Sequence, residues 1–208
     1  MRGVALGLAV LVLSCGGVAE GAARYKVRDS VRQAQRLLQR HDYAGAVAAC
    51  DELLRVHPDD PVALAVRGSS LAELGEYARA IADHDASLAL APDSPGALTN
   101  ACWSRALGRV QLDRALAYCD QAVAAEPSPT AYDTRGFLRL RRGEYGLAVA
   151  DYTAALNFRR QFASSFYGRG IAHLRLDEPL AGLKDLRTAI RIEPGITRTY
   201  ARRGVRVE

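Results

Sequence analysis

The chain has 208 residues, 49% of them hydrophobic and 25% charged. That balance excludes a disordered polyelectrolyte and leaves enough apolar material for a continuous core. A formal net charge of +5, carried by 26 Arg against 2 Lys, is modest for this length and does not imply a nucleic-acid partner.

Residues 1–23 have the make-up of an export signal. Arg2 supplies a positive end, Val4 to Leu13 is an uncharged run, and small residues follow. The run is too short to span a bilayer, which takes about 20 residues. Small residues at both recognition positions offer two cleavage points, after Ala19 (GVA) and after Ala23 (GAA). Cys15, in the segment VLSC, also resembles a lipoprotein processing site. Two fates therefore stay open for it, removal with the signal or acylation as a lipid anchor. Either way the expected location is outside the cytoplasm, periplasmic or attached to the envelope, where disulfides are permitted.

Beyond the amino terminus the sequence repeats every 34 residues. Arg-Gly recurs at Arg67–Gly68, Arg135–Gly136, Arg169–Gly170 and Arg203–Gly204, with Ala101–Cys102 in the intervening slot. Pro61, Pro95 and Pro129 keep the same step, each preceded by a capping residue, Asp60, Ser94 or Ser128. A side-chain oxygen followed by proline predicts a helix start, because the first helical N–H has no partner to lose. Between those starts lie AVAACDELLRV, AIADHDASLAL, ALAYCDQAVAA, AVADYTAALNF and GLKDLRTAIRI, with apolar residues at three- and four-residue steps. Each predicts a second helix with one buried stripe. Short breaks at Tyr43, Tyr77, Tyr145 and Pro179 separate the two helices of a unit.

These features resemble tetratricopeptide repeats: a small residue at the eighth position, an aromatic at the seventeenth, Ala at the twentieth and Pro at the thirty-second. Gly68, Tyr77, Ala80 and Pro92 fill those places in the second copy; Gly136, Tyr145 and Ala148 do so in the fourth, where Arg160 replaces the proline. The resemblance implies an all-α, right-handed superhelical solenoid of five units at 27–60, 61–94, 95–128, 129–162 and 163–196. Residues 197–208 then form a capping helix whose charges (Arg198, Arg202, Arg203, Arg206, Glu208) solvate the end. Small eighth and twentieth positions let paired helices approach closely. Arg at the seventh position is expected to lay its stem on the apolar seam and send its charge to water.

Two copies depart from the pattern. The third carries one extra residue between its helices, displacing Ala115 by one, and a shorter connection through Pro127 and Ser128, which predicts a local irregularity. In the fifth, Pro179 replaces the turn aromatic and Gly182 the alanine, which predicts a looser unit. Cys102, at the close-contact position, and Cys119, on the partnering helix, are placed to form a disulfide or to remain two buried thiols. Cys50 is expected in the core.

No catalytic constellation stands out. His41, His57, His84 and His173 show no metal-ligand spacing, and His84 between two aspartates occupies a packing position. No metal site, no cofactor and no enzymatic activity are expected. The resemblance instead implies a binding surface, the concave face lined by successive first helices. Carried over residue by residue, that face includes Thr99, Asn100 and Trp103 from the third copy, Asp133, Thr134, Phe137 and Arg141 from the fourth, and Tyr167, Ile171 and Arg175 from the fifth. Aromatics with polar spots suit a protein or peptide partner. Arg139, Arg141 and Arg142, and Arg159 with Arg160, form basic clusters that could steer an acidic partner or lie solvated. The expected function is an interaction scaffold; an accessory subunit of an envelope enzyme and an envelope hydrolase are the alternatives.

Overall fold

In the computed structural model residues 16–207 are described, with side chains from residue 27 onward. Cys15 and most of the export-type segment lie outside them. Eleven helices and no strand occur among the described residues: α1 (Gly16–Gln39), α2 (Tyr43–Val56), α3 (Pro61–Glu73), α4 (Tyr77–Leu90), α5 (Pro95–Gly108), α6 (Leu112–Ala125), α7 (Pro129–Arg142), α8 (Tyr145–Phe158), α9 (Ala163–Arg175), α10 (Pro179–Ile192) and α11 (Ile196–Arg202). Each helix packs on its neighbour in the chain, and odd-numbered helices also pack on one another from α1 through α9. The result is an all-α solenoid with first helices inside and second helices outside.

Three helix starts are fixed by their caps. The Asp60 carboxylate accepts from Val62 N and Ala63 N at 3.0 and 2.8 Å, Ser94 accepts from Ala97 N, and Ser128 from Ala131 N. Pro61, Pro95 and Pro129 follow at the first helical position. The capping oxygen meets an otherwise unpaired amide while proline gives up one that had no partner.

Each hairpin is held by a small residue of the first helix set against a residue of the second. Gly68 faces His84, Gly136 faces Tyr152 and Gly170 faces Leu186. A methyl at Gly68 would lie 2.6 Å from the His84 ring, and at Gly136 it would lie 3.1 Å from Tyr152. In the third unit this contact is covalent, a Cys102–Cys119 disulfide between α5 and α6. Cys50, a buried free thiol, stands at the matching place in α2. Ala46, Ala80, Ala115 and Ala148 are fully buried at the reciprocal position.

The fifth hairpin is not looser for having Gly182 there. A methyl on Gly182 would come within 2.9 Å of the Gly170 carbonyl and 2.8 Å of Leu174. With no side chain on either glycine, α9 and α10 bring their backbones together, so the substitution tightens the pair. The extra residue of the third unit is absorbed in the turn 109–111, where Arg109 and Gln111 both adopt positive φ (56° and 48°).

The seventh-position arginines do not send their charges to water. Arg67 forks onto Asp83 with two bonds of 2.8 Å, Arg135 onto Asp151 at 3.0 and 2.8 Å, and Arg169 onto Asp185 at 2.6 and 3.0 Å. All three aspartates are buried. A third donor bridges to the preceding unit, Arg67 to Asp51, Arg135 to Asp120 and Arg169 to Thr153. The two-pronged geometry of guanidinium and carboxylate makes each of these a directional cross-link. In the third unit, where Ala101 and Tyr118 stand instead, Arg105 takes over. It is fully buried, donates to Asp85 at 2.7 Å and to Gln111 at 3.1 Å, and lies 5.3 Å over the Tyr118 ring.

Candidate functional site

The inner face is built by α3, α5, α7 and α9, whose residues one helical turn apart point toward the superhelix axis. Trp103 of α5 and Phe137 of α7 sit side by side at its centre, ring centroids 4.9 Å apart. Tyr167 and Ile171 of α9 continue the apolar floor and are buried. Thr99, Asn100, Asp133 and Thr134 form one wall, joined by Ser69 and Glu73 of α3 and by Ser164 of α9. Arg141 and Arg175 lie at the other end, beside Leu140 and Tyr145. Of the ten residues assigned to the concave face, Thr99, Asn100, Trp103, Asp133 and Thr134 line one cavity, Arg141, Ile171 and Arg175 line another, and Phe137 and Tyr167 are buried.

That surface is covered by the chain's own carboxyl-terminal segment. Tyr200 of α11 inserts its ring against Tyr167 (4.6 Å between centroids) and Phe137 (6.0 Å), and its hydroxyl donates to the Ser164 carbonyl at 2.8 Å. One turn later Arg203 places its guanidinium 4.8 Å over the Trp103 ring and donates to Glu73 at 2.8 Å. Arg141 donates to the Gly204 carbonyl at 3.3 Å and to the Leu107 carbonyl at 3.0 Å. Of the charges expected to solvate the end of the solenoid, Arg198, Arg202 and Arg206 are exposed, but Arg203 is turned inward and paired. Glu208 lies outside the described residues.

The electrostatics of the wall are acidic. Asp133 accepts from Ser165 at 2.6 Å and from Ser164 at 2.9 Å, and burial pushes its carboxyl pKa upward against those hydrogen bonds and the Arg203 charge. The Arg203 guanidinium, despite its burial, is held more firmly protonated than usual by Glu73 and Asp133. Between α11 and the wall remains a cavity of about 370 Å³, lined among others by Thr99, Asn100, Trp103, Thr130 and Asp133.

The basic clusters are only partly free. Arg139 donates to Asp151, Arg142 to Asp113 and Glu144, and Arg141 to two carbonyls, so the trio is engaged within the fold and does not form an open basic patch. Arg159 is exposed and stacks on Phe162, and Arg160 is exposed. His84 is fully buried, with Nε2 3.3 Å from the Ala65 carbonyl. Burial lowers its pKa to about 4, against the pull of that carbonyl and of Asp83 and Asp85. The Cys50 thiol, pushed up to about 12 by burial, is chemically quiet. Among the described residues no group of three or more His, Cys, Asp and Glu could hold a metal ion, and no helix is long and apolar enough to cross a membrane.

Sequence reasoning missed Glu73, Ser164, Tyr200 and Arg203. Glu73 was accessible to it, since it occupies the thirteenth position of the second unit, on the same inward stripe. Tyr200 is the only aromatic in the charged last dozen residues, which is a weaker signal.

Residues 31–95 match the family model for the tetratricopeptide repeat. Serine/threonine-protein phosphatase 5 of Homo sapiens is 28% identical over 83 residues, 39% of this chain, and the chain spans only 17% of the length of that relative. A thermophilic TPR protein of Thermus thermophilus superposes with a TM-score of 0.72 at 19% identity, over 86% of this chain and 97% of the other. PilW, a type IV pilus biogenesis factor, does so with a TM-score of 0.67 at 21% identity, covering 85% and 86%. YrrB, a TPR protein with an unusual peptide-binding site, gives 0.55 at 17% identity, covering 92% and 99%.

Proposed function

We propose that this all-α solenoid, whose residues 31–95 match the tetratricopeptide-repeat family model, is a non-catalytic scaffold of the bacterial periplasm or cell envelope whose concave groove binds a protein or peptide partner. The observation that carries this reading is the inner face itself. Trp103, Phe137 and Tyr167 form an aromatic floor flanked by the polar Thr99, Asn100 and Thr134 and the acidic Glu73 and Asp133. Aromatic anchors among directional polar groups are what a desolvated protein contact requires. The groove is also wide enough to accept a helix, since α11 lies in it.

Export is supported by the charge and apolar pattern of residues 1–23 and suits a chain with a Cys102–Cys119 bridge, which an oxidising compartment maintains. Whether Cys15 is acylated or removed is read directly from the intact mass of the processed chain.

The test of the function is capture of a partner from the native envelope by the purified chain, compared with Trp103→Ala. Trp103 is the suitable target because it is half-buried, whereas Phe137 is sealed in the core and its removal would damage folding. Loss of the captured species with an unchanged helical spectrum supports the reading. Capture that is indifferent to Trp103 would contradict it.

A further inference from the structure

We propose that the groove selects a partner segment carrying an aromatic residue followed three positions later by an arginine, and that residues 196–205 of the chain occupy that site as an intramolecular stand-in until the partner displaces them. The proposal rests on the concave face being the binding surface and names the chemistry of what it binds.

Three contacts define the site. An aromatic slot lies between Phe137 and Tyr167, with the Ser164 carbonyl placed to accept from a phenol; Tyr200 fills it and is fully buried there. A cation slot lies between the Trp103 face and the Glu73 carboxylate, and Arg203 occupies it. A guanidinium suits this place because it stacks on an indole and donates in its own plane to a carboxylate at the same time. The third contact, Arg141 to the Gly204 carbonyl, is to main chain and is indifferent to sequence. Selectivity therefore falls on two side chains one helical turn apart, and the acidic wall disfavours a segment with Asp or Glu at the second place.

The segment in place is short and makes few backbone contacts. α11 has seven residues, too few to be a stable helix alone, and it contacts only α9 and α10 along its backbone. The segment reaches α3 and α5 through the Arg203 side chain, and α7 through the Tyr200 ring and the Gly204 carbonyl. A cavity of about 370 Å³ remains beside it. Tethering compensates: a linked segment competes at an effective concentration on the order of millimolar, so a free segment must out-bind it.

The test uses a fluorescein-labelled peptide of residues 193–207 as the probe, with binding to the full chain followed by anisotropy. In the full chain bearing Tyr200→Ala and Arg203→Ala the internal competitor is weakened, and the probe should bind about tenfold or more tighter than to the unaltered chain. A probe with Arg203→Glu should lose binding to that variant and regain it when Glu73→Arg is added, an exchange that a merely structural role for Glu73 would not produce. Equal binding to the altered and unaltered chains, binding to neither, or a charge-reversed probe that ignores Glu73 would each overturn the proposal. Should the double variant lose its helical spectrum, Arg203→Gln alone serves in the same comparison. If Trp103→Ala abolishes partner capture while the probe fails these comparisons, the scaffold reading stands and this one falls. If neither responds, both fall.

Discussion

Acidification should weaken this fold through one histidine before its carboxylates are fully protonated. His84 is sealed at the α3–α4 contact, against Gly68. Its pKa is lowered to about 4 by burial, which outweighs the Ala65 carbonyl and the charges of Asp83 and Asp85; Arg105 adds to the lowering. In the unfolded chain the same imidazole titrates near 6.5. Between these values the unfolded state holds the extra proton, so stability falls as pH falls, beginning near 6.5 and levelling off below about 4. Above pH 6.5 the histidine is neutral in both states and contributes no pH dependence. Going from pH 7 to pH 4.5 the loss amounts to about 2 kcal/mol for this one group. Urea unfolding of the unaltered chain and of His84→Gln, followed by circular dichroism across that range, isolates it, because the other titrating groups are common to both. The difference in unfolding free energy between the two should close by about that amount on acidification. A constant difference from pH 7 to 4.5, or a His84 ring resonance titrating near 6.5 in the folded protein, would refute the reasoning.

Further outcomes follow from the packing. Asp151 is the acceptor for Arg139 and the forked acceptor for Arg135, so Asp151→Ala leaves Arg139 without its carboxylate and Arg135 with Asp120 alone and should cost about 3 kcal/mol in urea unfolding, more than Asp185→Ala, which removes the carboxylate of Arg169 only. Gly182→Ala places a methyl 2.9 Å from the Gly170 carbonyl and should destabilise by about 1–3 kcal/mol, against the gain of up to about 1 kcal/mol an exposed helical Gly→Ala exchange would bring. Breaking the Cys102–Cys119 bridge by Cys→Ser exchange at both positions opens a loop of separation 17 and should lower stability by about 3 kcal/mol. Cys50 should resist alkylation in the folded protein and react once it is unfolded, as counted by intact mass.

The solenoid was legible because its signals are local and recur. A capping oxygen before proline, and a small residue facing a bulky one, each act within a few residues or within one hairpin, so the 34-residue period displays them repeatedly. The arginine cross-links were legible in principle: units with Arg at the seventh position (Arg67, Arg135, Arg169) have Asp sixteen residues later, and the third unit lacks both. Expecting those charges in water treated each helix as an isolated amphipath and ignored the carboxylate on its partner. The tightening at Gly182 went unseen for a similar reason, since a missing side chain was taken as lost packing when it permits closer backbones. The placement of the carboxyl-terminal segment was beyond local reasoning. Arg203 meets Glu73 across 130 residues, and nothing periodic connects them.

Trp103 is the only tryptophan in the chain and stands at the centre of the inner face, beneath Arg203. Acrylamide quenching of its fluorescence therefore reads the state of the groove directly. The account predicts weak quenching in the unaltered chain, stronger quenching in Tyr200→Ala with Arg203→Ala, and renewed protection of that variant when the 193–207 peptide is added. Quenching that is the same in all three would contradict a groove that holds a segment across Trp103.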